Sequence, residues 1–318
     1  MQTLEKTSSY NEQLNKYIED NFDCVETFYI DLGVKIVRLM CYSEQFIPHI
    51  KKQLTYVLTK NISEYDSTIV LWQEDGISGT LISYDAVNDR YYYGVKNLEP
   101  EEFIKWGHIF VQILYKILDT DTTSLVHGAC VGLNNIGVLL CARGQRGKST
   151  LAVNAMLEGF EYVSDDYLTL EKEGENLFAY PIYSIITLSP RMYNELYDKL
   201  EGCRFISNNA RKDKYVINIA NYHSSFKEKY PIKLCMFPEI TIDKEPSIQK
   251  CSQQEKGRAI THIIHSTLLQ MNDLKNVQST KKLINMVNNF DFYKINLCND
   301  IDLNVKCLKN FIEEYEND

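Results

Sequence analysis

Between Val138 and Asp166 the chain changes character several times, and that succession limits what it can fold into. Val138–Ala142 is an apolar run of strand length. Arg143-Gly144-Gln145-Arg146-Gly147 is small, polar or cationic. Past Gly147, Leu151, Ala152, Ala155 and Met156 fall on one face of a helix, and Gly159 is placed to end it. Phe160–Ser164 is a second strand-like run, and it stops at Asp165-Asp166. Strand, loop, helix, strand is an α/β arrangement.

The flanking chain divides at about Pro100. Residues 1–99 are expected to form a small α+β domain, beginning with a polar arm or short helix over 1–20. Glu26 to Cys41 carries apolar residues largely at period two, broken at Asp31 and Gly33, which fits a hairpin or one bent strand. A helix over Gln45–Leu58, a strand over Ser67–Trp72 and two β segments near Gly79–Tyr84 and Asp89–Val95 follow. Pro100-Glu101-Glu102 opens a helix expected to reach Leu118, the start of a second domain over 100–318. In that domain Ser124–Leu133 and Val138–Ala142 read as strands joined at Asn134-Asn135. Tyr167–Leu170, Tyr183–Leu188, Tyr215–Ile219, Ile232–Ile242 and Phe292–Leu297 also read as strands. Helices are expected from Pro190 to Leu200, Gln254 to Met271, Lys281 to Asn288 and Leu303 to Glu314. Arg204–Lys214 is polar and reads as a mobile loop near a site.

Several functional classes drop out. Lys and Arg number 34 against 43 Asp and Glu, a net charge of −9, so the broad cationic surface of a nucleic-acid binder is lacking. The nine cysteines are scattered, with no C-x-x-C pair, which argues against a zinc site or a disulfide framework. No apolar run approaches the ~20 residues of a membrane span, and Met1–Lys6 has no apolar signal core, so a cytoplasmic protein is expected.

Ala142-Arg143-Gly144-Gln145-Arg146-Gly147-Lys148-Ser149 departs from the phosphate-loop pattern G-x-x-x-x-G-K-[ST] at one position, where Ala142 replaces the first glycine. In such a loop backbone N–H groups at the helix start, through Thr150, cradle phosphates. Lys148 would reach the β/γ oxygens, and the Ser149 hydroxyl would ligate Mg2+. Ala142 requires negative φ, so Gly144 is the residue that could supply the permissive position. Asp165 and Asp166 at a strand end can converge, one holding metal and the other accepting a proton from an incoming hydroxyl. Together these imply a phosphotransferase using ATP or GTP with Mg2+.

His127-Gly128, Gly147-Lys148-Ser149, Gly159 and Asp165-Asp166 together resemble the HPr kinase/phosphorylase family, whose fold is shared with phosphoenolpyruvate carboxykinases. The resemblance covers Ser124–Leu170 and implies a P-loop kinase domain with a mixed β-sheet and flanking helices. It makes His127 an active-site residue near the γ-phosphate, Asp166 the general base, and Asp165 the residue on the metal side. Pro181–Arg191 lacks the glycine-rich acidic signature of the kinase/phosphorylases, so the chain looks more like stand-alone HPr-kinase-related serine kinases. The acceptor implied is a Ser/Thr hydroxyl on a peptide or small protein, with residues 1–99 a candidate recognition module and a homo-oligomer left open. Two other readings stay in play: a nucleotide-binding regulatory protein with little or no transfer, and a small-molecule kinase. Lys214 is a candidate phosphate contact. His262 and His265, three apart on a helix, are expected at its surface or boundary rather than on a metal.

Overall fold

The computed structural model describes residues 8–59, 62, 64–73, 81–95, 108–142, 144, 146–200, 204–209, 214–219, 225–269, 271, 273 and 276–317. The chain divides into two units, Met1–Ile117 and Leu118–Asp318.

In the first unit Glu26–Cys41 is a hairpin, β1 (Glu26–Asp31) and β2 (Ile36–Cys41). Asp31 and Gly33 interrupt the pattern because they make the turn: the Gly33 N–H donates to Asp31 Oδ1 at 2.8 Å. With β3 (Leu58–Thr59), β4 (Ser67–Gln73), β5 (Leu81–Asp85) and β6 (Arg90–Val95) the hairpin builds a sheet of order β3-β1-β2-β4-β6-β5. Residues 8–21 form an ordered helix, α1 (Ser8–Asn21), and α2 (Ile47–Gln53) is shorter than the expected segment. Leu14 and Ile18 of α1 are buried in a cluster with Val70, Trp72 and Tyr92. Asn11 is buried too, donating to the Tyr84 carbonyl at 3.0 Å and accepting from Ser83 Oγ at 2.6 Å. With so few apolar side chains on its buried stripe, that helix relies on a satisfied polar residue. α3 (His108–Leu118) ends at the unit boundary, and the Pro100 start expected for it lies outside the described residues.

The second unit holds a nine-stranded mixed sheet, with β10-β8-β9-β16-β12-β11-β7 as its main path and β18 and β17 added beside β16. The ranges are β7 (Thr123–His127), β8 (Ala129–Leu133), β9 (Ile136–Leu140), β10 (Glu161–Ser164), β11 (Tyr167–Glu173), β12 (Asn176–Pro181), β16 (Tyr230–Ile240), β17 (Ser247–Lys250) and β18 (Asp291–Leu297). The apolar run Ser124–Leu133 is thus two strands rather than one, bent at Gly128. Its halves fall toward opposite ends of the pairing order, β7 on β11 and β8 between β9 and β10, so the sheet curls round on itself. A Cβ on Gly128 would sit 3.0 Å from the Leu140 carbonyl and 3.2 Å from Cys141 Sγ, so a larger residue would require the end of β9 to shift by a few tenths of an ångström. The β8–β9 turn uses Asn134 (φ 52°) and Asn135 (φ 60°), the pair of left-handed residues a two-residue hairpin needs.

Strands β9, β16 and β18 run parallel, with Leu139 and Leu234 wholly buried among them. A helix follows the C-terminal end of each: α4 (Lys148–Leu157) after β9, α6 (Gln253–Leu268) after β16 and β17, α8 (Ile301–Asn317) after β18. α7 (Val277–Val287) precedes β18. A second, three-stranded sheet has order β13-β15-β14, from β13 (Ile185–Leu188), β14 (Arg204–Asn209) and β15 (Lys214–Asn218), with α5 (Pro190–Leu196) following β13. Part of the polar stretch Arg204–Lys214 is therefore a strand: Asn208 pairs with Tyr215 and Asn209 with Lys214. No helix among the described residues is long and apolar enough to cross a membrane.

Candidate active site

The site assembles at the C-terminal end of β9. Gly147 has φ +92° and caps α4 with no side-chain hydrogen bond. A Cβ on Gly147 would also approach Leu297 Cδ1 to 2.7 Å, so the left-handed backbone favours glycine and any side chain here would have to displace Leu297. α5, α6 and α7 are capped differently, by the side chains of Ser189, Ser252 and Asn276. Lys148, the first residue of α4, is buried, and its Nζ donates to the Ala142 carbonyl at 2.8 Å, closing the loop across its base. Ala142 is buried, Gly144 is exposed, and a Cβ on Gly144 would meet nothing within 4 Å. Arg146 is exposed, 4.0 Å from Glu239. Thr150 is half-buried, and its carbonyl accepts from Asn154 Nδ2 at 2.8 Å. Arg143 and Gln145 lie outside the described residues.

Ser149 Oγ donates to Asp165 Oδ1 at 2.8 Å. Asp165 is wholly buried, and its other oxygen accepts a long 3.4 Å contact from the Thr187 N–H on β13. A hydroxyl and a carboxylate oxygen held together at the head of α4 are hard oxygen donors. Mg2+ takes such a set when one or two protein oxygens share it with substrate phosphates and water. Among the described residues no group of three His, Cys, Asp or Glu side chains could hold a metal.

Adjacent aspartates on a regular strand point to opposite faces, and the backbone here is not regular. Asp166 has φ +73°, and the Tyr167 N–H donates to the Asp165 carbonyl at 3.1 Å across it. That is the rare γ-turn geometry, at a cost of ~1–3 kcal/mol for a non-glycine residue. Ser164 Oγ braces it by donating to the Tyr167 carbonyl at 2.6 Å, and the Gly128 N–H donates to the Asp166 carbonyl at 2.9 Å. The bend after β7 and the aspartate turn are therefore fastened directly to each other. His127 lies opposite Tyr167 in the β7–β11 register, with ring centroids 5.2 Å apart, and its N–H donates to Thr267 Oγ1 on α6 at 3.1 Å. Burial pushes the phenols of Tyr162, Tyr167 and Tyr183 up, and the neighbouring aspartates push them further: Asp165 and Asp166 act on Tyr162, Asp166 on the other two. All three remain neutral around the acid pair.

His127, Ala142, Lys148, Ser149, Asp165 and Asp166 thus lie on linked segments. Lys214 opens β15 two residues before Val216, the partner of Thr187, and its side chain lies outside the described residues. On the flank of the loop away from the aspartates, a cleft of ≈340 Å3 opens among Ala142, Arg146, the end of β16 and α6. Sequence reasoning missed it, because its walls come from Phe237–Glu239, Cys251, Glu255–His262 and Lys294, with no local pattern joining them. His262 lines this cleft and His265 is exposed, so the two histidines do not face one site.

No protein-family model matches the chain, and no curated protein matches it. Among solved structures the chain is similar to the Hpr(Ser) kinase/phosphatase from Coxiella burnetii, at 12% identity and a TM-score of 0.34, covering 61% of this chain and 99% of that chain. The likeness is distant and does not make the chain a member of that family.

Proposed function

We propose that this protein is a Mg2+-dependent phosphotransferase that moves the γ-phosphoryl group of ATP or GTP to a Ser/Thr hydroxyl on a peptide or small protein. The observation that carries this reading is the Ser149–Asp165 hydrogen bond at the head of a glycine-capped helix, beside the buried Lys148. The first-turn N–H groups of α4 and the helix dipole receive the β- and γ-phosphates. Lys148 exchanges the Ala142 carbonyl for a phosphate oxygen, a charge-assisted bond stronger than the one it leaves. Ser149 and Asp165 would hold Mg2+, which would supply positive charge to offset the charge of the phosphates.

Asp166 is the base in this scheme. Its half-buried turn sits beside His127, and its carboxylate takes the acceptor hydroxyl proton as the acceptor oxygen bonds to the γ-phosphorus. The bond from that phosphorus to the β-bridging oxygen breaks, and the nucleoside diphosphate leaves. His127, held through its backbone by Thr267, orients the carboxylate. Residues 1–99 would recognise the acceptor.

A degenerate Ser/Thr peptide library with radiolabelled Mg-ATP or Mg-GTP tests the scheme. The wild type should label peptides, and Asp166→Asn should hold its nucleotide while losing transfer by about 10²–10⁴-fold. Full transfer by Asp166→Asn refutes the base assignment. Tight nucleotide binding with no peptide labelled by the wild type favours the regulatory reading.

A further inference from the structure

We infer that the cleft between the phosphate loop and α6 binds the nucleoside part of the nucleotide. This rests on the phosphotransferase reading and adds to it a site for base and ribose. The phosphate loop follows β9, which lies between β8 and β16 in the sheet. The aspartates follow β10, beyond β8, and the cleft lies on the other side of the loop, over Phe237–Glu239 of β16 and Lys294 of β18. A nucleotide laid across the loop with its γ-phosphate at the aspartates therefore directs its nucleoside toward the cleft. An acceptor hydroxyl must approach from the aspartate flank, so the cleft is not the acceptor's.

The lining suits a flat, neutral base followed by an anionic chain. Phe237, Pro238 and Ala259 supply apolar surface, and Ala142 and Arg146 belong to the loop itself. The two carboxylates on the walls are already engaged. Glu239 pairs with Lys294 at 2.5 Å and lies 4.0 Å from Arg146; Glu255 accepts from the Ser252 N–H and hydroxyl at 2.8 and 2.7 Å in the α6 capping box. A polyanion passing the rim thus meets Arg146 and Arg258, with the Glu239 charge offset by Lys294 and the Glu255 carboxylate turned into the α6 capping box. The volume, ≈340 Å3, is in the range of small-ligand sites.

Cys251 lines the cleft and is half-buried, so its alkylation, read by mass spectrometry of its peptide, reports occupancy. Burial and Glu255 raise this thiol, so the reaction is run under alkaline conditions. At about ten times its Kd, Mg-ATP or Mg-GTP should slow Cys251 alkylation about tenfold by mass action, while equally saturating Mg-tripolyphosphate leaves it within about twofold. ATP and GTP in separate arms show which base the cleft takes. Equal protection by nucleotide and tripolyphosphate overturns the assignment, as does no protection by either saturating nucleotide. Ala259→Met, which narrows the cleft, should weaken the protecting nucleotide about tenfold and leave tripolyphosphate unchanged, a loss of the size overpacking causes. Unchanged nucleotide affinity in that variant overturns the assignment. Failure of wild-type protein to bind tripolyphosphate or nucleotide would instead refute the phosphate-loop reading, and the cleft assignment with it.

Discussion

Replacing Gly147 with alanine separates two costs that the structure makes legible. At φ +92° an L-residue is in the left-handed region, which costs about 1–2 kcal/mol. The new Cβ would also stand 2.7 Å from Leu297 Cδ1, far inside ordinary contact, and Leu297 is 5% exposed at the end of β18 with little room to yield. Overpacking of that kind costs about 1–3 kcal/mol, so Gly147→Ala should destabilise this unit by about 2–5 kcal/mol. Leu297→Ala alone should cost about 2–5 kcal/mol as a buried truncation. In the double variant the clash is gone and the backbone cost remains, so its loss should fall short of the sum by about 1–3 kcal/mol. Hydrogen exchange of the α4 and β18 amides in rising urea is the assay, since it reports on these elements rather than on both units at once. Additivity within about 0.5 kcal/mol would refute the claim that Gly147 is required by contact as well as by conformation.

Two further perturbations test other parts of the site. Asp165→Asn keeps a side chain that can accept from Ser149, so the fold should survive, but the Mg2+ dependence of nucleotide affinity should disappear; titration of ATP with and without Mg2+ checks this, and an unchanged metal effect counts against Asp165 as a ligand. Glu239 is held below the usual carboxylate range by its hydrogen bond to Lys294, then by the Lys294 charge, with Arg146 adding a smaller effect. Its folded form therefore prefers the ionised state, so its stabilisation is complete above its ordinary value of 4.5 and is lost as pH falls through the lowered folded value. Glu239→Gln should flatten that acid limb of stability against pH, and an unchanged limb would show that the pair does not contribute.

The local geometry of the candidate site was legible where neighbouring residues set it. Gly147-Lys148-Ser149, the Asp165-Asp166 stop and the Asn134-Asn135 turn each combine residue types that backbone geometry or charge demands at neighbouring positions. What escaped depends on partners distant in the chain. Gly128 sits inside an apolar run, and nothing in that run says that Leu140 and Cys141 press against it. α1 shows little apolar periodicity because Asn11, matched by Ser83 and Tyr84, fills a place on its buried face. β14 reads as a loop because its residues are polar and its pairing is with β15 further along the chain, and β12 was not anticipated before β13. The γ-turn at Asp166 breaks the regular strand alternation after Asp165, and sequence cannot announce a left-handed aspartate.

The most direct test of the central claim, that this loop holds a nucleotide's phosphates, is calorimetric titration of Mg-tripolyphosphate into wild type and Lys148→Ala. A charge-assisted hydrogen bond contributes about 1.5–3 kcal/mol, so the variant should bind about 10–150-fold more weakly while its circular dichroism is unchanged. A folded Lys148→Ala that binds tripolyphosphate as tightly as the wild type would contradict the account.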